Sequence, residues 1–174
     1  MNDLAVKNEP ALMIVMGVSG CGKSTIAAML ASALGASYLD ADDYHPPPNI
    51  AKMSRGEALN DDDRWPWLSH FGRVMAEQGG QCVGACSALK RNYRKHLTSA
   101  AGQPILFICL NGSKELLSQR INARSDHFMP PALLESQLQT LQLPEADEYA
   151  ITANIAGTPE QIVAQILGSL KVSG

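Results

Sequence analysis

Residues 17–24 read Gly17-Val18-Ser19-Gly20-Cys21-Gly22-Lys23-Ser24, a complete G-x-x-x-x-G-K-[ST] pattern. Glycines at this spacing let the backbone follow a tight, partly left-handed path that turns successive N–H groups toward one anion. A lysine at the position of Lys23 reaches the β- and γ-phosphates of a nucleotide, and a hydroxyl at Ser24 can ligate the Mg²⁺ that bridges them. Context supports this reading. The apolar run Ala11–Met16 has strand length and ends at Gly17, while the stretch from Lys23 to Leu34 is a strong helix former stopped by Gly35. Strand, loop and helix N-terminus are the arrangement that binds polyphosphate, with the helix dipole adding to it. Gly17, Val18, Ser19, Gly20, Cys21, Gly22, Lys23, Ser24 and Thr25 are therefore expected to wrap ATP, with Lys23 also acting on the transferring group.

Carboxylates follow the next strand-like run. Asp40-Ala41-Asp42-Asp43 comes directly after Ala36–Leu39, and in an extended chain Asp40 and Asp42 project to one side. Phosphoryl transfer to a hydroxyl needs Mg²⁺ held in place and the attacking oxygen aligned, often by a carboxylate. Asp40 is assigned with Ser24 to the Mg²⁺ shell, Asp40 through water, and Asp42 to the acceptor hydroxyl. His45 belongs beside it in the acceptor site. The structural alternative is a pair of turn carboxylates capping Pro46–Asn49.

Three cationic groups invite a partner. Arg64 ends the run Asn60-Asp61-Asp62-Asp63-Arg64, whose acidic residues suit a helix N-terminus; Arg64 is read as a substrate contact, with a structural ion pair to a neighbouring aspartate as the alternative. The run Ser87–His96 is the most basic stretch, and Lys90 and Arg94 lie one helical turn apart just after a strand, as the wall of an anion pocket would; a solvated cationic helix face is the alternative. Arg120 and Arg124, also one turn apart, end a helix that runs into Ser125–Pro131 and would close over the nucleotide, with cations that merely complement the helix C-terminus as the alternative. Trp65 and Trp67 are read as packing residues.

These residues need a scaffold that gathers them, and the rest of the chain supplies one. Further strands are expected at Cys82–Cys86, Pro104–Leu110 and Ala150–Asn154, with helices over 49–54, 64–77, 88–98, 114–123, 132–141 and 159–170. Such alternation implies an α/β fold, a parallel five-stranded sheet flanked by helices, with ligands outside the carboxyl ends of the strands. A single domain over 1–174 is expected, with an acceptor-binding insertion at about 40–67 and a lid at about 124–131.

Composition narrows the function classes. The chain has 174 residues, 45% apolar and 18% charged, with a net charge of −3. That charge gives no general attraction to nucleic acid or anionic membrane. No apolar run approaches the roughly 18 residues of a membrane span, and the first ten residues lack the features of a signal peptide, so a cytoplasmic protein is expected. The cysteines Cys21, Cys82, Cys86 and Cys109 fit no zinc spacing, and three are expected to be buried structural thiols. Cys21, beside Lys23 and a helix N-terminus, is expected to react with thiol reagents and to be shielded by ATP.

Taken together, Gly17–Ser24, Leu39–Pro46, Asn49-Ile50, Lys52-Met53, Asn60–Arg64 with Pro66-Trp67-Leu68, Cys86–Lys90 with Tyr93-Arg94, Asp126–Met129 and Leu138–Pro144 with Ala146-Asp147-Glu148 closely resemble the small P-loop gluconokinases. The likeness runs in register from about residue 11 to residue 150. It implies a nucleoside-kinase type of fold related to shikimate and adenylate kinases, ATP and Mg²⁺ as cofactors, D-gluconate phosphorylated at its 6-position, and a homodimer. It further implies Asp42 as the base-like residue, Arg120 near the adenine and Arg124 in the lid. Gluconate's carboxylate would give Arg64, Lys90 and Arg94 a partner. Two departures stand out: Asp126 where the family commonly has glycine, and Pro47-Pro48, which stiffens the acceptor segment. Without the resemblance, shikimate, adenylylsulfate or a nucleoside monophosphate would serve as acceptor equally well. A nucleotide-dependent switch lacks its Asn/Thr-Lys-x-Asp and Asp-x-x-Gly elements here, and a nucleic-acid-dependent ATPase is disfavoured by charge.

Overall fold

The apolar run before the phosphate loop forms strand β1 (Leu12–Met16), buried along its whole length at the centre of a parallel sheet. A computed structural model describes residues 10–123 and 131–172. After β1 come α1 (Lys23–Leu34), β2 (Ser37–Asp40), a 3-10 turn (Ala41–Tyr44), α2 (Pro47–Ser54), α3 (Asp61–Ala76) and β3 (Cys82–Ala85). The chain continues through α4 (Arg91–Ala101), β4 (Ile105–Asn111), α5 (Lys114–Ala123), α6 (Pro131–Thr140), β5 (Ala150–Asn154) and α7 (Pro159–Val172). Strand order is β2-β3-β1-β4-β5, and Leu12 pairs with Cys82 on one side and Ile105 on the other. Among the described residues no helix is long and apolar enough to cross a membrane.

Helices cover both faces of the sheet, so its inner strands read as continuous apolar runs. Alternate residues divide between two cores. Met13, Val15 and Ile108 pack with Ile26 and Leu30 of α1 and Ile166 of α7. Leu12, Ile14, Met16 and Phe107 pack with Leu68 and Phe71 of α3 and Leu97 of α4. Helices α3 and α4 touch closely because Gly72 has no side chain: a Cβ there would lie 2.8 Å from the Leu97 carbonyl oxygen.

Two helix starts differ from expectation by three residues, each for a local reason. Helix α3 starts at Asp61 instead of Arg64, because Asn60 and Asp63 form a capping box that closes its first turn. Helix α4 starts at Arg91 instead of Ala88. Ala88 takes a left-handed φ of 44° and Lys90 is extended, which aims the Ala88 and Leu89 carbonyls at the Arg94 guanidinium.

Candidate active site

The phosphate loop joins β1 to α1. Gly22 caps α1 in the left-handed region without a side-chain hydrogen bond, which leaves the first-turn N–H groups for a ligand. Gly20 has φ +83°, and a Cβ there would sit 2.4 Å from Ile121 Cγ1, so α5 seals the loop from behind only because this residue is glycine. Lys23 Nζ donates to the Val18 carbonyl at 3.1 Å, folded over the loop that it serves. The loop is also tied to α6: Ser19 N–H donates to Gln137 Oε1 at 2.7 Å, and Gln137 Nε2 donates to Ser19 Oγ at 3.0 Å.

Arg120 lies behind the loop, donating to the Ile155 carbonyl and, at 3.1 Å, to that of Gly157. It lines a hollow of about 290 Å³ with Gly20, Gly22, Thr25 and Pro159. Arg124 and the stretch 124–130 of the expected lid lie outside the described residues. Cys21 needs a correction. Its side chain is 1% exposed and belongs to the apolar core beneath the loop, so reagents cannot reach the thiol without the loop opening. The other three cysteines are buried as expected, and burial pushes the Cys82 and Cys109 thiols up to about 11 and Cys86 to about 12.

Strand β2 delivers the carboxylates to the loop. Ser24 Oγ donates to Asp40 Oδ2 at 2.8 Å, and the other Asp40 oxygen accepts the Asp42 N–H at 2.9 Å, capping the 3-10 turn. A hydroxyl and a carboxylate so close form a hard-oxygen donor pair, the chemistry that Mg²⁺ prefers. Among the described residues no group of three or more His, Cys, Asp or Glu could hold a metal.

Asp42 stands beside this pair with its side chain 86% exposed, whereas His45 is only 6% exposed, with its Nε2 3.7 Å from Asp42 Oδ1. The His45 ring, and then Lys23, hold the Asp42 carboxyl below the usual carboxylate range. His45 is stacked on Trp67, ring centroids 4.2 Å apart, and Trp67 Nε1 donates to the Ala41 carbonyl at 2.7 Å. Trp67 thus packs, as expected, with His45 as one of its neighbours.

A cationic cluster forms where the N-termini of α3 and α4 meet. Arg64 Nη1 and Lys90 Nζ each lie 3.6 Å from a different oxygen of Asp61, and the Tyr93 hydroxyl donates to Asp61 as well. Both cations lie 5.5 Å from the centroid of the Tyr93 ring. Tyr93's hydrogen bond, ahead of the two cations, lowers the Asp61 pKa; burial and Asp61 push the Tyr93 phenol up to about 12. Arg64 therefore has its neighbouring aspartate as a partner, yet it remains half-exposed beside Lys90.

Arg94 does not join them, which overturns its reading as a substrate contact. It is 2% exposed, and all five of its N–H groups are taken: two by Glu148, and the others by the carbonyls of Ala88, Leu89 and Gln142. A guanidinium has five donors, so none remains for a ligand. The spacing of Lys90 and Arg94 misled because Lys90 is an extended cap residue, not part of the helix, and the two do not share a face. A hollow of about 660 Å³ near Arg94, lined by Lys95, Thr98, Phe107 and Tyr149, opens at the amino ends of β4 and β5, away from the loop.

Sequence reasoning gave Asn49, Asp61, Tyr93 and Gln137 no place in the site. Asn49 is a buried amide in an otherwise exposed helix, Asp61 read as a dipole complement, and Gln137 sits 118 positions from its partner Ser19. Only the fold brings these groups to their partners.

A family model described as an AAA domain matches residues 12–144. A protein of Xenopus tropicalis named "Probable gluconokinase" is 41% identical over 176 residues, covering 91% of this chain and 93% of that one. The gluconokinase of Gluconobacter oxydans is 41% identical over 162 residues, covering 91% and 90%. Among solved structures, a gluconokinase from Sinorhizobium meliloti 1021 superposes with a TM-score of 0.85 at 42% identity, covering 93% of this chain and 92% of that one.

Proposed function

The chain belongs to the gluconokinase family of P-loop kinases, and from that membership we infer that it phosphorylates gluconate with ATP, transferring the γ-phosphoryl group to the 6-hydroxyl. One observation carries the mechanism. The phosphate loop, the Ser24–Asp40 pair and the exposed Asp42 converge at the carboxyl ends of β1 and β2.

In this reading Gly17–Thr25 wrap the triphosphate, and Lys23 leaves the Val18 carbonyl to draw charge from the transferring group. Arg120 would flank the base, and Arg124 would neutralise charge from the lid side. Ser24 and, through water, Asp40 would hold Mg²⁺, whose role when bound is to neutralise charge on the β- and γ-oxygens. Asp42 accepts a hydrogen bond from the acceptor hydroxyl and aligns its oxygen. As that oxygen bonds to the γ-phosphorus, the bridging P–O bond breaks, ADP departs, and the hydroxyl proton passes to Asp42 and on to solvent. His45 supports Asp42, while Arg64 and Lys90 pair with the sugar acid's carboxylate. Asp61 offsets one of those two positive charges, leaving a net charge suited to a monocarboxylate. A cytoplasmic homodimer is part of the proposal, supported by the family likeness.

The test is ADP release from MgATP with D-gluconate, beside shikimate, adenylylsulfate, AMP and no acceptor. Turnover with gluconate alone supports the reading. Turnover with another acceptor overturns the substrate, and slow hydrolysis indifferent to every acceptor overturns the kinase. Asp42→Asn is expected to lower kcat far more than it weakens ATP binding.

A further inference from the structure

Asp42 is an exposed carboxylate on a short turn, and an exposed carboxylate rotates freely unless something orients it. His45 is the group placed to do so, and its own surroundings are built. Its ring is buried against Trp67 at an interplanar angle of 18°, so it cannot swing. Trp67 is in turn anchored to the carbonyl of Ala41, the residue before Asp42. Behind the ring stands Asn49, only 3% exposed. Its side-chain Nδ2 donates to the Asp63 backbone carbonyl at 2.9 Å and lies 3.4 Å from His45 Nδ1.

The chemistry of these contacts decides where the imidazole proton sits. A backbone carbonyl only accepts, so the Asn49 atom facing it is the NH₂ nitrogen. The same NH₂ group has a second hydrogen, and His45 Nδ1 faces it. Nδ1 is therefore the unprotonated nitrogen, and in the neutral ring Nε2 carries the hydrogen. Nε2 is the atom that faces Asp42. At 3.7 Å the pair is just beyond hydrogen-bond contact, and a small rotation of the exposed Asp42 side chain closes it as the acceptor docks.

We propose that Asn49 is a positioning residue for phosphoryl transfer: it fixes the His45 tautomer that donates from Nε2 to Asp42, and so sets the carboxylate that aligns the acceptor hydroxyl. This rests on the assignment of Asp42 to that hydroxyl. Trp67 completes the arrangement by holding the plane of the ring. One oxygen of Asp42 then receives the His45 hydrogen, and the other is left to face the acceptor.

Three measurements test it. His45→Phe keeps a flat ring on Trp67 but cannot donate, whereas His45→Gln restores an N–H at similar reach. The Phe variant is expected to lose about 10–100-fold in kcat, the scale for a misplaced catalytic group, with the KM values for ATP and gluconate little changed. The Gln variant is expected to recover most of that loss. Equal losses in both variants, or none in Phe, would overturn the proposal. Nitrogen-15 NMR of histidine-labelled protein, with His45 assigned by its disappearance in His45→Phe, should show the Nε2–H tautomer, and Asn49→Leu should abolish that preference. A wild-type ring protonated on Nδ1 would overturn the proposal even if Asn49→Leu fails to fold. Asp42→Asn separates the two levels: if it leaves kcat intact, the assignment beneath the proposal fails, but if it lowers kcat while His45→Phe does not, only the positioning role fails.

Discussion

Replacing Arg94 with methionine keeps the length of the side chain and removes all five donors. Glu148 then loses its guanidinium partner and keeps the Glu145 N–H as a hydrogen-bond donor, and the carbonyls of Ala88, Leu89 and Gln142 each lose a buried partner. Breaking one partner of a buried pair costs about 3–5 kcal/mol, a large share of the roughly 5–15 kcal/mol that holds a domain of this size together. At about 2–4 °C per kcal/mol for a chain of this length, the melting temperature should fall by about 10 °C. Gluconate KM, measured well below the transition, should stay within about twofold of wild type, because no donor of Arg94 faces the site. The double variant Arg94→Met/Glu148→Leu should melt above the single one, since an apolar pair leaves no buried charge. Thermal unfolding by circular dichroism together with steady-state kinetics decides the matter. A tenfold rise in gluconate KM with an unchanged melting temperature would refute the structural role and restore Arg94 to the substrate.

Gly20→Ala puts a methyl group 2.4 Å from Ile121 Cγ1 at a φ that L side chains rarely adopt, so the loop must move. ATP turnover should fall by about 100-fold or more while far-ultraviolet circular dichroism stays the same. Gln137→Ala frees both the N–H and the hydroxyl of Ser19, and the slackened loop should raise KM for ATP about three- to tenfold, the worth of about one hydrogen bond. Arg94, ahead of the Glu145 backbone N–H, holds the Glu148 carboxyl below its ordinary 4.5. The unfolded chain then takes up that proton at higher pH than the folded one. This contribution to stability is full above about pH 4.5 and is lost as pH falls through the lower folded value. Urea midpoints measured from neutral pH down to about pH 3 should fall through that window, and less steeply in Glu148→Gln.

Where chemistry rests on contiguous residues, the sequence was enough to read it. The phosphate loop, the strand before it and the helix after it share one stretch, and α1 begins at Lys23 as the glycine pattern requires. Strand β5 and helix α5 also keep their expected bounds, Ala150–Asn154 and Lys114–Ala123. Asp40 and Ser24 are 16 positions apart, but each stands at the end of a strand or the start of a helix that the parallel sheet must align. Spacing failed for Arg94 because one-turn logic presumes a helix, and the helix starts after Lys90. Two of the partners that bury Arg94, Glu148 and Gln142, lie about fifty positions away, beyond any local pattern. Cys21 failed in the same way: it lies between two glycines and close to Lys23 in sequence, but its side chain belongs to the core.

The acidic run before Arg64 shows why a cap and a site need not be alternatives. Asp63 Oδ2 accepts the Asn60 N–H at 2.9 Å and Lys52 Nζ at 2.7 Å, its own N–H goes to Asn60 at 2.8 Å, and its carbonyl takes Asn49 at 2.9 Å. Lys52, ahead of the Asn60 backbone, also keeps the Asp63 carboxyl below the usual range, so it stays ionised across the neutral range. The first turn of α3 is therefore the fixed point to which α2 is tied twice, through Lys52 and through Asn49. Asn49 cannot aim at His45 unless that turn has formed, and the turn presents Asp61 and Arg64 to Lys90 in the same step. In the proposed mechanism the helix N-terminus and the acceptor side are therefore joined by the same contacts. It follows that a cap variant such as Asn60→Ala should lower kcat by more than its loss of stability alone would suggest, because it loosens the ring behind Asp42 as well as the helix.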